Sequence, residues 1–233
     1  MGRAGRLSVA VYLIVIGADP VGESLVRLAL EADFDTVLIE EDADSANAMV
    51  DKYDVRVLNA AIADENIMQE ADAARADAVI AATHDDSTNL MAVILAQQSG
   101  VDNVISVVNH QHHQRLFERL GVRVLVHPEV LVARHLLDMA LHPHMSDVTS
   151  LGDHGQVMQM TLQSGSPLVG TPLAELGPAG RLPQDSRVVS VARDGEHFFA
   201  AGDTELRAGD EIILYARRPL SEKNLSTLIG DSQ

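Results

Sequence analysis

The sequence predicts an α/β protein: a doubly wound parallel sheet of six strands followed by a second, smaller α+β domain. Three observations carry this. From Val11 to about Leu141, short β-branched runs alternate with helical patterns, the signature of βαβ units. A glycine-bearing turn, Gly17 to Gly22, sits between the first strand and the first helix. Beyond Gly155 the pattern changes to period-2 alternation broken by Asp-Gly and Gly-Asp turns. With 233 residues and 46% hydrophobic side chains the chain can bury a full core, and with only 3% aromatic residues and no Trp that core is aliphatic. Aliphatic cores suit parallel sheets covered on both faces.

In chain order, the expected strands of the large domain are Val11 to Ile16, Thr36 to Glu40, Val55 to Ala60, Ala78 to Ala82, Asn103 to Val108 and Val122 to Val126. Arg3 and Arg6 ahead of the apolar run Leu7 to Ile16 imitate a secretory signal. The run is too short to span a bilayer and leads straight into a turn and a helix, so it reads as a buried first strand. Val21, Leu25, Leu28 and Ala29 form one helical face, and Ala46, Met49, Val50 and Tyr53 form another. The helix around Leu90 to Leu95 is apolar nearly all round, as expected of a buried helix or a subunit contact.

The rhythm breaks between His142 and Gly155, where Pro143 and two glycines interrupt it. The domain reading is therefore 1–141 for the first domain, 142–155 for a linker, 156–219 for the second domain and 220–233 for a polar tail. In the second domain Val157 to Leu162 alternates. Thr171 and Pro172 read as N-cap and first residue of a short helix. Asp194-Gly195 joins Val188–Ala192 to Glu196–Ala200 as a hairpin, and Glu211 to Tyr215 makes a further strand. No later segment is apolar enough to span a membrane.

Charge narrows the function. With 34 acidic against 17 basic residues, the formal charge of −17 repels phosphate backbones and anionic lipid headgroups, so no nucleic-acid partner and no direct membrane insertion is expected. The absence of Cys removes disulfides, thiolate metal sites and a Cys nucleophile.

The strongest motif is Gly17-Ala18-Asp19-Pro20-Val21-Gly22, placed where a Rossmann-type domain holds a pyrophosphate. Glu40 ends the second strand about twenty residues later, where a carboxylate accepts from ribose hydroxyls. Asp19 stands where the middle glycine usually lets backbone approach phosphate. It reads as a helix N-cap followed by Pro20 at the first helical position, and its charge competes for the site a phosphate would use.

With Glu40, these residues together with Asn59-Ala60-Ala61-Ile62, Asp77-Ala78-Val79-Ile80-Ala81-Ala82-Thr83, Asn89-Leu90 and Leu120-Gly121-Val122 resemble the RCK domain, the regulator of potassium conductance of Trk and Ktr uptake systems and gated channels. Ser166-Pro167-Leu168-Val169-Gly170, Leu173-Ala174-Glu175-Leu176 and Leu206-Arg207-Ala208-Gly209-Asp210 are similar to the small C-terminal domain of the same family. The resemblance covers nearly the whole chain. It implies a cytoplasmic, non-enzymatic regulatory subunit that binds an adenine nucleotide, NAD(H) or ATP/ADP. It also implies assembly into a homo-oligomer, an octameric ring, and gating of an integral-membrane potassium transporter or channel from the inner face of the membrane. The cofactor-binding candidates are Gly17, Ala18, Asp19, Pro20, Val21, Gly22, Glu40, Glu41, Asn59, Ala60, Ala82, Thr83, His84 and Val107.

Three departures weaken the expected nucleotide. Asp19 replaces a glycine, Ala60 stands where the family carries an acidic residue near the base, and Val107 stands where many members carry a phosphate-contacting Arg. The acidic positions of a calcium-gated branch correspond to Ala82, Val107 and Asn109. The small domain pairs with its copy in the family and can house a second effector. An NAD-dependent oxidoreductase and a regulator of a cation/proton antiporter are the alternative readings. His154 and His197 are the obvious proton carriers of the second half, with no paired catalytic group at a recognisable spacing.

No metal site is expected. His110 and His113 would share a helix face at chelating spacing, but no nearby carboxylate or Cys completes a set. Asp85 or Asp86 reads as a helix N-cap, and His142 and His144 lie in the linker.

Overall fold

The computed structural model describes residues 11–141, 145–151 and 154–218, together with residues 220, 224 and 228. Strands β1 (Tyr12–Ile16), β2 (Asp35–Glu40), β3 (Arg56–Asn59), β4 (Ala78–Ala81), β5 (Val104–Val108) and β6 (Arg123–Val126) form one parallel sheet in the order β3-β2-β1-β4-β5-β6. This is the expected doubly wound α/β sheet, with its topological switch between β1 and β4. The signal-like run ends as β1, all five of whose residues are buried. Leu7 to Ala10 lie outside the described residues.

Alternation on β1 feeds two cores. Tyr12, Ile14 and Ile16 face one, with Val37 and Ile39 of β2. It is closed by Ile67 and Met68 of α3 (Ile67–Glu70), Ala92, Val93 and Ala96 of α4 (Asp86–Gln98) and Phe117 of α5 (Gln114–Arg119). Leu13 and Val15 face the other, with Leu38, and are covered by Val26 and Ala29 of α1 (Pro20–Glu31) and Met49 of α2 (Ala43–Lys52). Each fully buried aliphatic side chain here contributes roughly 1.5–3 kcal/mol.

The helical faces differ in detail from the sequence reading. The buried stripe of α1 is Gly22, Val26 and Ala29, flanked by Val21 and Leu25, while Leu28 is exposed. On α2, Ala46 and Met49 are buried and Val50 is exposed. In both cases the apolar count along the helix exceeds what one sheet face covers. On α4, Ala92, Val93 and Ala96 are buried, whereas Met91 is exposed.

The chain divides into units Met1–Glu129 and Val130–Gln233. The division falls near the start of α6 (Pro128–Leu141), not at the expected boundary after Leu141. The first unit closes its core with α5 and β6, and α6 leaves Val130, Leu131, Val132, Leu136, Leu137 and Met139 about half exposed or more. The stretch read as linker, 142–155, holds a strand, β7 (Met145–Ser150), paired antiparallel with β8 (Gln156–Thr161). Val148 packs against the second core, whereas Pro143 and Gly152 on either side in the sequence are the turn signals that predict a linker.

The second unit is a five-stranded sheet in the order β10-β9-β11-β8-β7, with β9 (Ser186–Arg193), β10 (Glu196–Phe199) and β11 (Glu211–Ala216). All pairs are antiparallel. The Asp194-Gly195 turn has φ of 52° and 81°, as a two-residue hairpin between right-twisted strands requires. Met158, Met160, Leu162, Ile212 and Leu214 alternate into its core. The short helix α7 (Leu173–Leu176) starts one residue later than expected. Pro172 is its N-cap, and Thr171 Oγ1 accepts from Arg181 Nη1 at 2.7 Å instead of capping. At the end of the β9–β11 ladder, Asp210 is buried and takes Nε and Nη2 of the Arg193 guanidinium at 2.7 Å, plus the Arg207 N–H at 2.8 Å.

Candidate functional site

The C-terminal ends of β1, β2 and β4 open into a cleft of about 210 Å³ at the topological switch, where open α/β sheets bind ligands. Ile16, Gly17, Asp19, Ile39, Glu40, Glu41, Ala60, Ile62, Thr83, His84, Asp85 and Thr88 line it. Two glycines hold the loop in shape. Gly17 has φ of +98°, and a Cβ there would lie 2.6 Å from Thr83 Cγ2. A Cβ on Gly22 would lie 1.9 Å from the Gly17 carbonyl oxygen, so only glycine lets α1 approach β1 this closely.

Asp19 occupies the N-cap position of α1 with Pro20 at the first helical residue, yet its carboxylate caps nothing in the helix. Instead Oδ2 accepts the His84 backbone N–H at 2.8 Å and lies 2.9 Å from His84 Nδ1. The expected N-cap hydrogen bond is thus corrected, because the loop after β4 offers this carboxylate two donors. The pairing raises the His84 pKa, chiefly through its hydrogen bond to Asp19 and then through the Asp19 charge. Glu40 is likewise engaged: Oε2 accepts the Ala18 N–H at 2.6 Å and Oε1 the Asp42 N–H at 2.8 Å. One loop amide that a phosphate would use is therefore held by Glu40. Each carboxylate oxygen retains a second lone pair for a ribose hydroxyl.

The remaining expected residues sit around this cleft in different ways. Glu41, Ala60, Thr83 and His84 line it. Asn59 donates through Nδ2 to the Glu40 and Glu41 carbonyls and fixes the rim from below. Pro20, Val21 and Gly22 form the first turn of α1, and Ala18 meets Glu40. Ala82 is buried, its N–H on the Ile16 carbonyl. Val107 is buried too, its carbonyl accepting from Asn89 Nδ2 at 3.2 Å. Asn89, fully buried, also ties the Thr83 N–H, Oγ1 and carbonyl together. Ile16, Ile39, Ile62, Asp85 and Thr88 also line the cleft and were not among the expected site residues. Asp85 is the N-cap of α4, accepting from Thr88 N at 2.7 Å.

Next to the cleft, Asp86 is buried and gathers five contacts. Oδ1 accepts from Asn109 N at 2.7 Å and Asn109 Nδ2 at 3.0 Å. Oδ2 accepts from His110 N at 3.0 Å and lies 3.1 Å from His110 Nδ1 and 2.7 Å from His113 Nδ1. Burial raises its pKa, but the Asn109 N–H and the two imidazoles outweigh that and hold it at about 2. His110 precedes a 3-10 turn over Gln111–His113, so the two imidazoles meet through a turn and not along a helix. His142 and His144 lie outside the described residues.

Comparisons with known proteins agree with this architecture. The TrkA-N domain family matches residues 13–128 and the TrkA-C domain family residues 157–221. The chain is 27% identical over 209 residues to a Trk system potassium uptake protein TrkA homolog of Methanothermobacter thermautotrophicus, covering 88% of this chain and 94% of that protein. A TrkA homolog of Archaeoglobus fulgidus is 29% identical over 88% of this chain but 47% of its own length, and TrkA of Vibrio alginolyticus is 28% identical over 88% and 46%. The chain thus spans nearly all of the first relative and about half of the others. Among solved structures, the GsuK channel matches 97% of this chain and 40% of its own with a TM-score of 0.63 at 19% identity. The GsuK channel bound to NAD matches 97% and 40% with a TM-score of 0.60 at 20% identity, a likeness of fold. No helix among the described residues is long and apolar enough to cross a membrane. A parallel sheet with its cleft at the switch point, followed by an antiparallel domain and matched in both halves in the same order, makes this chain a member of the TrkA-N/TrkA-C domain family.

Proposed function

We propose that the chain is the regulatory, gating subunit of a potassium transporter or channel and responds to a small adenosine-bearing ligand in the β1–β4 cleft. The observation that carries the reading is the paired TrkA-N and TrkA-C architecture, extending over 94% of a protein named for Trk potassium uptake. The cleft supports a ligand-responsive role: it lies at the switch point of the parallel sheet, and each Glu40 carboxylate oxygen keeps a lone pair for a ribose hydroxyl. Asp19, Glu40, Glu41 and Asp85 make it acidic, and among the described residues His84 is the one basic side chain lining it. That charge favours an adenosine moiety over its polyphosphate, so NAD(H), ATP and ADP bind weakly, as Asp19, Ala60 and Val107 each remove a favourable contact.

The chain acts as a regulator and not as a catalyst, at the inner face of the membrane through its partner. It assembles with copies of itself through the exposed apolar residues of α6, in a ring for which eight subunits is the family number. With it goes the proposal of a nucleotide-sensing first domain and an effector second domain. The test is rubidium uptake by cells lacking their own potassium uptake system. The transporter's membrane subunit is expressed with and without this chain, and each protein is recovered from the membrane fraction. Flux that depends on the chain and recovery of the two together are expected. Unchanged flux with no association overturns the reading.

A further inference from the structure

We propose that Asp86, His110 and His113 form a binding site for a divalent transition-metal ion of the Zn²⁺, Co²⁺ or Ni²⁺ class, beside the cleft at the C-terminal ends of β1, β2 and β4. The two imidazoles and the carboxylate come from separate segments, the first residue of α4 and the turn after β5, and place one donor atom each within 4.8 Å of one another. Asp86 Oδ2 already stands 3.1 and 2.7 Å from the two Nδ1 atoms. An ion bound at about 2.0–2.2 Å needs donors roughly 3–3.5 Å apart, so the two carboxylate–imidazole pairs open by under about 1 Å, and the two imidazole nitrogens adjust from within 4.8 Å of each other.

Three features distinguish this set from a chance cluster. Asp86 is 5% exposed, so its carboxylate is fixed in place. Its other oxygen is held by the Asn109 N–H and Nδ2, the kind of outer-shell support that aims a ligating carboxylate. The imidazoles are 60% and 40% exposed, leaving an open side through which an ion enters and water completes the coordination. The two rings lie edge-on, with centroids 5.5 Å apart and planes at 61°, so neither blocks the other. Two nitrogens and one oxygen suit borderline transition ions, whereas Mg²⁺ and Ca²⁺ favour all-oxygen sets. Asn109 Nδ2 also donates to the Thr83 carbonyl at 3.0 Å, and Thr83 lines the cleft, so the ion site and the cleft share a wall.

The experiment uses the full chain without a polyhistidine tag, stripped with EDTA and dialysed. Co²⁺ is titrated and followed by its visible ligand-field absorption, with displacement by Zn²⁺ and a thermal melt at each stage. One equivalent per chain and a Zn²⁺-dependent rise in melting temperature are expected. His110→Gln and His113→Gln, at exposed imidazoles that leave folding intact, each weaken binding by about tenfold or more, and the double variant removes it. His112→Gln, whose nitrogens fall outside the set, retains binding within about threefold. No spectral change with Co²⁺, binding that survives in the double variant, or equal loss in His112→Gln and His113→Gln overturns the assignment.

Discussion

Replacing Asp19 with glycine isolates what holds phosphate away from the cleft. The carboxylate sits at the N-terminus of α1, where a phosphate would otherwise meet free amides and the positive end of the helix. Two unit charges about 4 Å apart repel by about 1 kcal/mol in water and about 4 kcal/mol at an effective dielectric of 20. The Asp19 side chain is 37% exposed, so solvent screening places the effect toward the lower end, about 1–2 kcal/mol. His84 offsets part of the charge only when protonated, and the Ala18 N–H stays on Glu40 in both proteins. Asp19→Gly is therefore expected to tighten ADP binding by about 5- to 30-fold. Loss of the Asp19 side chain removes no helix-cap hydrogen bond but does remove the acceptor of the His84 N–H, at a cost of about 0.5–1.5 kcal/mol.

Titration calorimetry at matched ionic strength reads this directly, with Asp19→Asn separating charge from bulk. If charge excludes phosphate, Asn recovers most of the gain, and the gain shrinks in high salt. Equal affinities in all three proteins would move the cause to Ala60 and Val107. An improvement with Gly but not with Asn would show that side-chain volume, not charge, closes the site. Submicromolar ADP binding by the unmodified chain would refute the argument altogether.

Gly22→Ala should cost about 3 kcal/mol or more, because its Cβ would fall 1.9 Å from the Gly17 oxygen; a thermal melt against Gly121→Ala, where φ is +72° and space is open, separates clash from backbone strain. Asp210→Ala should lower the stability of the second unit by about 2–4 kcal/mol in a urea titration, since a buried carboxylate loses three hydrogen bonds. Burial raises the Asp210 pKa, but Arg193 and the Arg207 N–H outweigh it, so the folded value lies below the usual carboxylate range. Its contribution is therefore full above about pH 4 and disappears as pH falls through the depressed folded value, and the gap between wild type and Asp210→Asn should close there. Leu131→Asp with Leu137→Asp on α6 should shift the assembly to smaller species in native mass spectrometry without lowering the melting temperature of the first unit; an unchanged oligomer would exclude α6 as the contact.

What the sequence made legible follows the range of the cue. The six strands, the glycine turn and the Asp194-Gly195 hairpin are specified within short windows, by alternation, positive φ and close approach. The misreadings come from counting apolar residues without knowing the area of the partner face. Leu28 and Val50 look like core but extend past what one side of the sheet covers. Strand β7 shows the opposite failure. An edge strand needs few apolar residues: Val148 packs against the core, and along the sequence that single cue is weaker than the turn signals Pro143 and Gly152 that flank Met145–Ser150.

The site divides along the same line, and the division has a physical origin. Asp19 meets His84 across 65 residues, and Asp86 meets His113 across 27, because the order β3-β2-β1-β4-β5-β6 lays the C-terminal ends of β1, β4 and β5 side by side. Once that order is inferred from the βαβ rhythm, the neighbourhood of these residues follows from chain connectivity alone. Their chemistry does not. Asp19 and Asp85 both stand at helix N-cap positions, yet only Asp85 caps its helix, and whether a carboxylate turns back to its own amides or outward depends on donors brought from another strand. Asp86, one residue further on, is pulled inward by the Asn109 amide and faces two imidazoles that local spacing left without a third ligand. A search for ligand sets along one strand-to-helix turn finds two histidines and stops. A search across the C-terminal ends of adjacent strands in a parallel sheet finds the carboxylate as well, because there the nearest neighbours in space are one whole βαβ unit apart in sequence.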